Sequence, residues 1–249
     1  MSLGGRTVLV PRGGAWGLDV AGRILERGGT PWVVPLIEAR AVESAALRGA
    51  LEELAAGGYD WLAVTSAAAA DVLAVADVLA DHGAPSHAYI PATTRVVAVG
   101  PATARALERI GVTVDLVPER DHSAAGLLEV WQAHGRVLVL HSDLAGTTLA
   151  DGLRERGCEV DAEVAYRTGA VPVSAADVLA VADGAADVIL VTSGSVARQV
   201  RRLDVPARTL IACLGPVTAR DAQGCGLRVD VVAPQNTVEA LLGAVEENP

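Results

Sequence analysis

Two ten-residue stretches carry the same groups in the same order. Val96-Val-Ala-Val-Gly-Pro-Ala-Thr-Ala-Arg105 returns as Ile211-Ala-Cys-Leu-Gly-Pro-Val-Thr-Ala-Arg220, 115 residues later. Each reads as a short apolar strand, a Gly-Pro turn and a first helical turn. Proline suits the first helical position, whose amide is unpaired anyway, and a glycine before it permits a sharp exit and close approach of a ligand. Thr103 and Thr218 then fall in the first turn, beside free N–H groups. Such helix starts attract carboxylates and phosphates, each by about 0.3–1 kcal/mol when exposed. A single Gly-Pro is explained by a tight turn; the symmetric pair makes Gly100, Thr103 and Thr218 candidate ligand contacts.

Thr65-Ser66 and Thr192-Ser193-Gly194-Ser195 also end apolar runs and open helical ones. Capping accounts for a serine at such a place, yet strand ends are also where open α/β sheets bind ligands. Arg12-Gly13-Gly14 follows the first apolar run, where a guanidinium can clamp a carboxylate through two hydrogen bonds. A plain surface arginine is the competing role. His141-Ser142-Asp143 occupies the matching place in the second copy. His141 can exchange a proton near neutral pH or make a simple polar contact. The remaining histidines (His82, His87, His122 and His134) lack metal-ligand spacing, so no metal is expected.

Composition narrows the chemistry. All 20 basic residues of the 249-residue chain are arginine. The absence of lysine excludes Schiff-base catalysis, a Walker phosphate loop and the Tyr-x-x-x-Lys pair of short-chain dehydrogenases. The run from Val8 to Gly17 has the wrong glycine spacing for a dinucleotide fingerprint, and Pro35-Leu36 stand where an acidic ribose partner belongs. A formal charge of −10 argues against nucleic acid. It leaves open a small anionic substrate, because helix ends and arginines oppose the global field locally. Cys158, Cys213 and Cys225 are odd in number without C-x-x-C spacing, as in a reducing compartment. With no apolar run near the ~20 residues of a membrane span and no signal peptide, a cytoplasmic location is expected.

These groups need elements to hold them, and the pattern supplies strands alternating with helices, as in parallel sheets covered on both faces. Strands are expected at Thr7–Val10, Trp32–Ile37, Trp61–Val64, Val96–Val99, Val112–Val117, Val137–Leu140, Val160–Tyr166, Val188–Val191, Leu210–Leu214 and Arg228–Val232. Helices are expected near Leu18–Arg27, Ala45–Ala55, Ala67–Leu79, Ala102–Ile110, Ser123–Gln132 and Leu149–Arg156. A short helix follows Ser174, and further ones start at Val196, after Pro216 and at Thr237. The echo extends through this frame. Val8-Leu-Val10 answers Val137-Leu-Val139, Glu26-Arg-Gly28 answers Glu155-Arg-Gly157, Val64-Thr-Ser66 answers Val191-Thr-Ser193, and Asp115 answers Asp230. A duplicated α/β unit is expected, with a ligand cleft between the copies. No long exposed apolar strand invites self-association, so a monomer is the default.

The ordered set of motifs resembles uroporphyrinogen-III synthase. It comprises Arg12, Pro35-Leu-Ile37, Thr65-Ser66, Val99-Gly-Pro-Ala-Thr-Ala-Arg105, Val164-Ala-Tyr-Arg-Thr168, Val191-Thr-Ser-Gly194 and Leu214-Gly-Pro-Val-Thr-Ala-Arg220. The resemblance implies two similar flavodoxin- or Rossmann-like parallel-sheet domains joined by a two-strand hinge. One would be discontinuous, residues 1–36 plus 169–249, and the other would span 37–168. It implies a cofactor-free cyclisation of hydroxymethylbilane, a linear tetrapyrrole with eight carboxylates, to uroporphyrinogen III with inversion of ring D. Tyr166 would be the proton donor or water orienter. Arg12, Thr65, Ser66, Gly100, Thr103, Ser142, Ser193, Gly194 and Thr218 would hold the substrate, largely through amides and hydroxyls. Asp143 departs from the pattern and would repel a propionate if it faced the ligand. A non-catalytic tetrapyrrole-binding or regulatory relative, and a two-lobed solute-binding protein, are the alternatives.

Overall fold

The structure, a computed structural model, describes residues 2–79, 90–132 and 134–248. His82 and His87 lie outside the described residues. The chain divides into two compact units, Met1–Glu38 with Gly169–Pro249, and Ala39–Thr168.

The first unit is built on a parallel sheet in the order β10 (Val231–Val232), β9 (Leu210–Cys213), β8 (Val188–Val191), β1 (Thr7–Val10) and β2 (Thr30–Val33). Residues 188–191 and 8–10 are fully buried, as expected of central parallel strands covered on both faces. One face packs Leu9, Ile189, Ile211 and Cys213 against α8 (Gly194–Val200) and α9 (Pro216–Gly224). The other packs Val8, Val10, Val188 and Ala212 against α1 (Gly14–Glu26) and α10 (Val238–Glu246). Each such buried aliphatic side chain contributes about 1.5–3 kcal/mol.

The second unit has the strand order β3 (Ile37–Ala41), β7 (Glu159–Ala170), β6 (Arg136–Ser142), β4 (Trp61–Val64) and β5 (Arg95–Ala98). Strands β7, β6, β4 and β5 are parallel. Leu62, Leu138 and Leu140 pack with Leu47 and Leu54 of α2 (Ala45–Ala55) and Leu107 of α4 (Pro101–Arg109). Ala63, Val97 and Val139 pack with Leu127 of α5 (Ala124–Val130) and Leu153 of α6 (Thr148–Glu155). Helix α3 (Ala67–Leu79) follows β4.

The two sheets repeat one another, but they do not correspond to the two halves of the sequence. Strands β8, β9 and β10 match β4, β5 and the segment around Leu116, while β1 matches β6. Thus β1 and β2 of the first copy complete a sheet with β8 to β10 of the second, and β6 and β7 of the second complete a sheet with β4 and β5 of the first. The start of the central strands is sealed identically in both. Asp187 Oδ2 accepts the Thr7 N–H at 2.7 Å, and Asp60 Oδ2 accepts the Arg136 N–H at 2.8 Å. The buried hydroxyls of Thr209 and Thr94 donate to the carbonyls of Ala186 and Tyr59.

Three expected strands are split or shortened. The run Trp32–Ile37 is split: β2 ends at Val33, and β3 starts at Ile37 in the other sheet. Pro35 between them has no N–H for a ladder and fixes its φ, so the chain turns out of the sheet there. The run Val112–Val117 shortens to an isolated parallel bridge between Val97 and Leu116. Asp115 Oδ2 takes the Val96 N–H at 2.7 Å, occupying a donor that a longer ladder would pair with a carbonyl. Asp230 does the same to the Ile211 N–H at 2.8 Å, leaving β10 two residues long.

Candidate functional site

Every residue expected to bind ligand lies within a few residues of the C-terminal end of a parallel strand, in one unit or the other. In the second unit, Thr65 follows β4, Gly100 follows β5, Ser142 ends β6, and Tyr166 lies opposite Ser142 in β7. In the first unit, Arg12 follows β1, Ser193 and Gly194 follow β8, and Thr218 lies in the first turn of the helix after β9.

Their polar groups fall into two sets. Some are already engaged. The Ser66 and Ser193 hydroxyls accept the amides of Ala69 at 3.2 Å and Val196 at 3.3 Å, so both are helix caps. The Thr65 hydroxyl donates to the Leu140 carbonyl at 3.1 Å. Arg12 stacks 5.1 Å over the Trp16 ring, held close to the start of α1. A Cβ on Gly17 would lie 2.2 Å from the Arg12 carbonyl, so α1 can approach Arg12 only because residue 17 is glycine.

The second set is free to act on a ligand. Thr103 and Thr218 are 4% and 8% exposed, and neither hydroxyl has a hydrogen-bond partner among the described residues. They are nearly enclosed rather than displayed on an open surface. The Tyr166 hydroxyl likewise makes no hydrogen bond among the described residues; its ring packs on the Leu138–Leu140 core. The motif read as Val191-Thr-Ser193 also contains Thr192, left out of the expected contacts. Its hydroxyl is buried without a partner, whereas its counterpart Thr65 is satisfied. No pattern in the residue types separates the two; only the backbone around Pro11 and Leu140 does.

Gly100 and Gly215 are both extended, with φ of −168° and 177°, so neither is required by its backbone conformation. Space distinguishes them: a Cβ at Gly100 would come within 3.0 Å of His122, while at Gly215 the nearest atom is 3.7 Å away. Pro101 and Pro216 begin α4 and α9. The first turns of α1, α3, α4, α8 and α9 contain no acidic residue. By contrast, α6 and α10 carry Asp151 and Glu239 there. In a chain of net charge −10, the starts of α4 and α9 carry no carboxylate in their own first turns, whereas the Asp221 carboxylate lies beside Gly194 at the start of α8.

His141 Nδ1 lies 2.8 Å from the Ser142 carbonyl, and the register shifts between these two residues so that Ala165 of β7 is skipped and Ser142 pairs with Tyr166. Asp143, a potential repellent of anions, accepts the Thr168 N–H at 3.1 Å and donates its own amide to the Tyr166 carbonyl. One of its carboxylate oxygens thus helps hold β7 beside β6, while the side chain stays exposed. Two further aliphatics are exposed, Leu144 at 58% in the loop after β6 and Val217 at 63% in the first turn of α9. They offer apolar contact beside the amides. Among the described residues no cluster of three or more histidine, cysteine or acidic side chains could hold a metal.

The fold and these strand ends define a parallel α/β protein of two related units, in which the matching helices α4 and α9 start without an acidic residue. The chain belongs to the uroporphyrinogen-III synthase HemD family, whose profile matches residues 19–243. It is 28% identical over 196 residues to the porphyrin biosynthesis protein HemD of Ruminiclostridium josui, covering 76% of this chain and 38% of that protein. It is 31% identical over 167 residues to a putative uroporphyrinogen-III synthase of Methanothermobacter thermautotrophicus, covering 60% and 65%. The chain thus spans less than two thirds of either curated relative. Among solved structures, a mutant uroporphyrinogen III synthase of Thermus thermophilus matches with a TM-score of 0.62 at 19% identity, over 97% of this chain and 98% of that one. A Helicobacter pylori uroporphyrinogen-III synthetase matches with a TM-score of 0.62 at 18% identity over 100% of both. These two likenesses establish the fold. No helix among the described residues is long and apolar enough to cross a membrane.

Proposed function

We propose that this protein closes hydroxymethylbilane to uroporphyrinogen III, inverting ring D, without a cofactor. The observation that carries the reading is the family match over residues 19–243, together with the paired strand ends whose helices start without an acidic residue. Loss of water, the hydroxyl leaving from the hydroxymethyl carbon with a donated proton and the pyrrole nitrogen giving up its own, yields an azafulvene. The substituted carbon of ring D attacks it, and the resulting spiro intermediate fragments and recloses. The substrate closes unaided without inversion, so the protein's task is to impose a conformation on it.

In this reading the helix starts behind Gly100 and Gly215, with Arg12, take the substrate carboxylates, while Thr103, Thr192 and Thr218 supply unsatisfied hydroxyls. The caps Ser66 and Ser193 fix the adjoining amides rather than donate to substrate. Tyr166 gives a proton to the departing hydroxide or orients the water that does so. The units Met1–Glu38 with Gly169–Pro249 and Ala39–Thr168 act as two domains, with the two crossings between them serving as the hinge. The three unbridged cysteines suit a reducing cytoplasm, where the chain acts as a monomer. Incubation with hydroxymethylbilane, followed by chromatographic separation of product isomers, tests the proposal. The inverted isomer should dominate; the isomer ratio of an enzyme-free control would refute it.

A further inference from the structure

The opposite end of the second unit's sheet contains a cavity. It measures about 410 Å³ and is lined by Trp61, Arg95, Asp115, Leu116, Val130, Trp131 and Gln132. Trp61 and Arg95 open β4 and β5, whereas Thr65 and Gly100 follow the other ends of those strands. A four-residue strand separates the two places by about 13 Å.

The duplication supplies an internal control. Asp60 corresponds to Asp187 and Asp115 to Asp230, by their identical backbone contacts. Trp61 therefore corresponds to Val188, Arg95 to Leu210 and Leu116 to Val231. The caps Ser123 and Thr237 align α5 with α10 and place Trp131 against Val245. In the first unit Val188, Val231 and Val245 are at most 6% exposed. Arg6 reaches across to the Val245 carbonyl at 2.9 Å, and Arg228 neutralises Asp230 at 2.8 Å. In the second unit these two arginines are replaced by Gly135 and Thr113. The strap and the counter-ion are gone, and two tryptophans and an arginine stand in place of aliphatic packing.

The groups so placed are specific. The Trp61 and Trp131 rings are 5.1 Å apart and tilted by 52°, giving two apolar walls. The exposed Arg95 guanidinium lies 5.3 Å over the Trp61 ring and has no ion-pair partner among the described residues. Asp115 spends Oδ2 on the Val96 amide, which leaves Oδ1 as an acceptor. Aromatic walls with one free cation and one acceptor match a flat ring that bears both a carboxylate and a ring N–H. We propose that this cavity is a second ligand site of the protein, taking a small N–H heteroaromatic carboxylate. The ring contacts the tryptophans, the carboxylate pairs with Arg95, and the N–H donates to Asp115.

Indole-3-acetate is a suitable probe, with uncharged indole and cationic tryptamine as controls. The side-chain N–H signals of the four tryptophans can be followed by NMR on the full chain, without any activity assay. Indole-3-acetate should shift the Trp61 and Trp131 signals and leave Trp16 and Trp32 in place. It should bind at least about tenfold more tightly than indole or tryptamine, a difference of ~1.4 kcal/mol. Arg95→Gln should remove that advantage at an unchanged thermal midpoint, and Arg95→Lys should restore part of it. Equal affinity for the three probes, an unaltered affinity in Arg95→Gln, or shifts spread over all four tryptophans would overturn the proposal. Each readout is independent of tetrapyrrole turnover.

Discussion

A hydroxyl helps a reaction only if its own protein has not already claimed it. That criterion divides the candidates in a way residue types alone do not. Thr65, Ser66 and Ser193 are engaged with the backbone, while Tyr166 and Thr192 have no partner among the described residues. Removing the Tyr166 hydroxyl as Tyr166→Phe should lower kcat by about tenfold with KM little changed, at the weak end of general acid catalysis. Unchanged kcat in steady-state assays would strip Tyr166 of the role. Cys213 makes a separate prediction about stability. Burial pushes its thiol from the ordinary 9.0 up to about 12. A raised acid stabilises the folded state in full below the unfolded pKa, and that contribution drains away as pH climbs from about 9 to about 12. Thermal midpoints measured across that window should fall less steeply for Cys213→Ala than for the parent. Parallel slopes would show that the thiol does not ionise in this way.

At the scale of elements, the acidic residues at strand edges act as staples. Asp115 and Asp230 each fasten the following edge segment by accepting an amide 19 residues away. Asp115→Ala leaves the Val96 N–H without its acceptor and should cost about 1–3 kcal/mol in urea denaturation, with Asp115→Asn losing less. Equal stability of the alanine variant would mean that water replaces the carboxylate. These staples also explain what could be read in advance. Val188–Val191, Trp61–Val64 and Ala45–Ala55 have the bounds expected from their residue patterns, because each is an uninterrupted apolar run or a helix closed by its own signals. Val112–Val117 looked like a strand because its composition is right; whether a side chain or a carbonyl takes the neighbouring amide cannot be seen in composition. Trp32–Ile37 misled for a related reason, since its apolar content is continuous while Pro35 divides it between two sheets. At the strand ends, the motifs located the Gly-Pro helix starts, but the enclosure of Thr103 and Thr218 and the stranded Thr192 hydroxyl depend on packing from distant segments.

At the scale of the molecule, the repeats run in the same order through both halves, and that order alone is silent on which pieces share a sheet. The structure shows that each sheet borrows from both copies. A cut at the repeat boundary therefore separates β1 and β2 from β8, β9 and β10. A fragment of residues 39–168 holds every strand of the second sheet except the first two residues of β3 and the last two of β7, and should unfold cooperatively by circular dichroism. A fragment of residues 1–124 holds pieces of both sheets and completes neither, so it should give no cooperative transition. Cooperative unfolding of the shorter N-terminal piece would show that a half-sheet suffices.

The exchange of strands also sets an order of events during synthesis. The apolar strands β1 and β2 emerge first, yet their neighbour β8 begins only at Val188. At about 5–20 residues per second, the wait is roughly 8–35 s. Through that interval the growing polypeptide trails two sticky, unmatched ribbons while its middle section can already condense. A chaperone that shields these two early strands would have its greatest effect on yield here, before β8 is made.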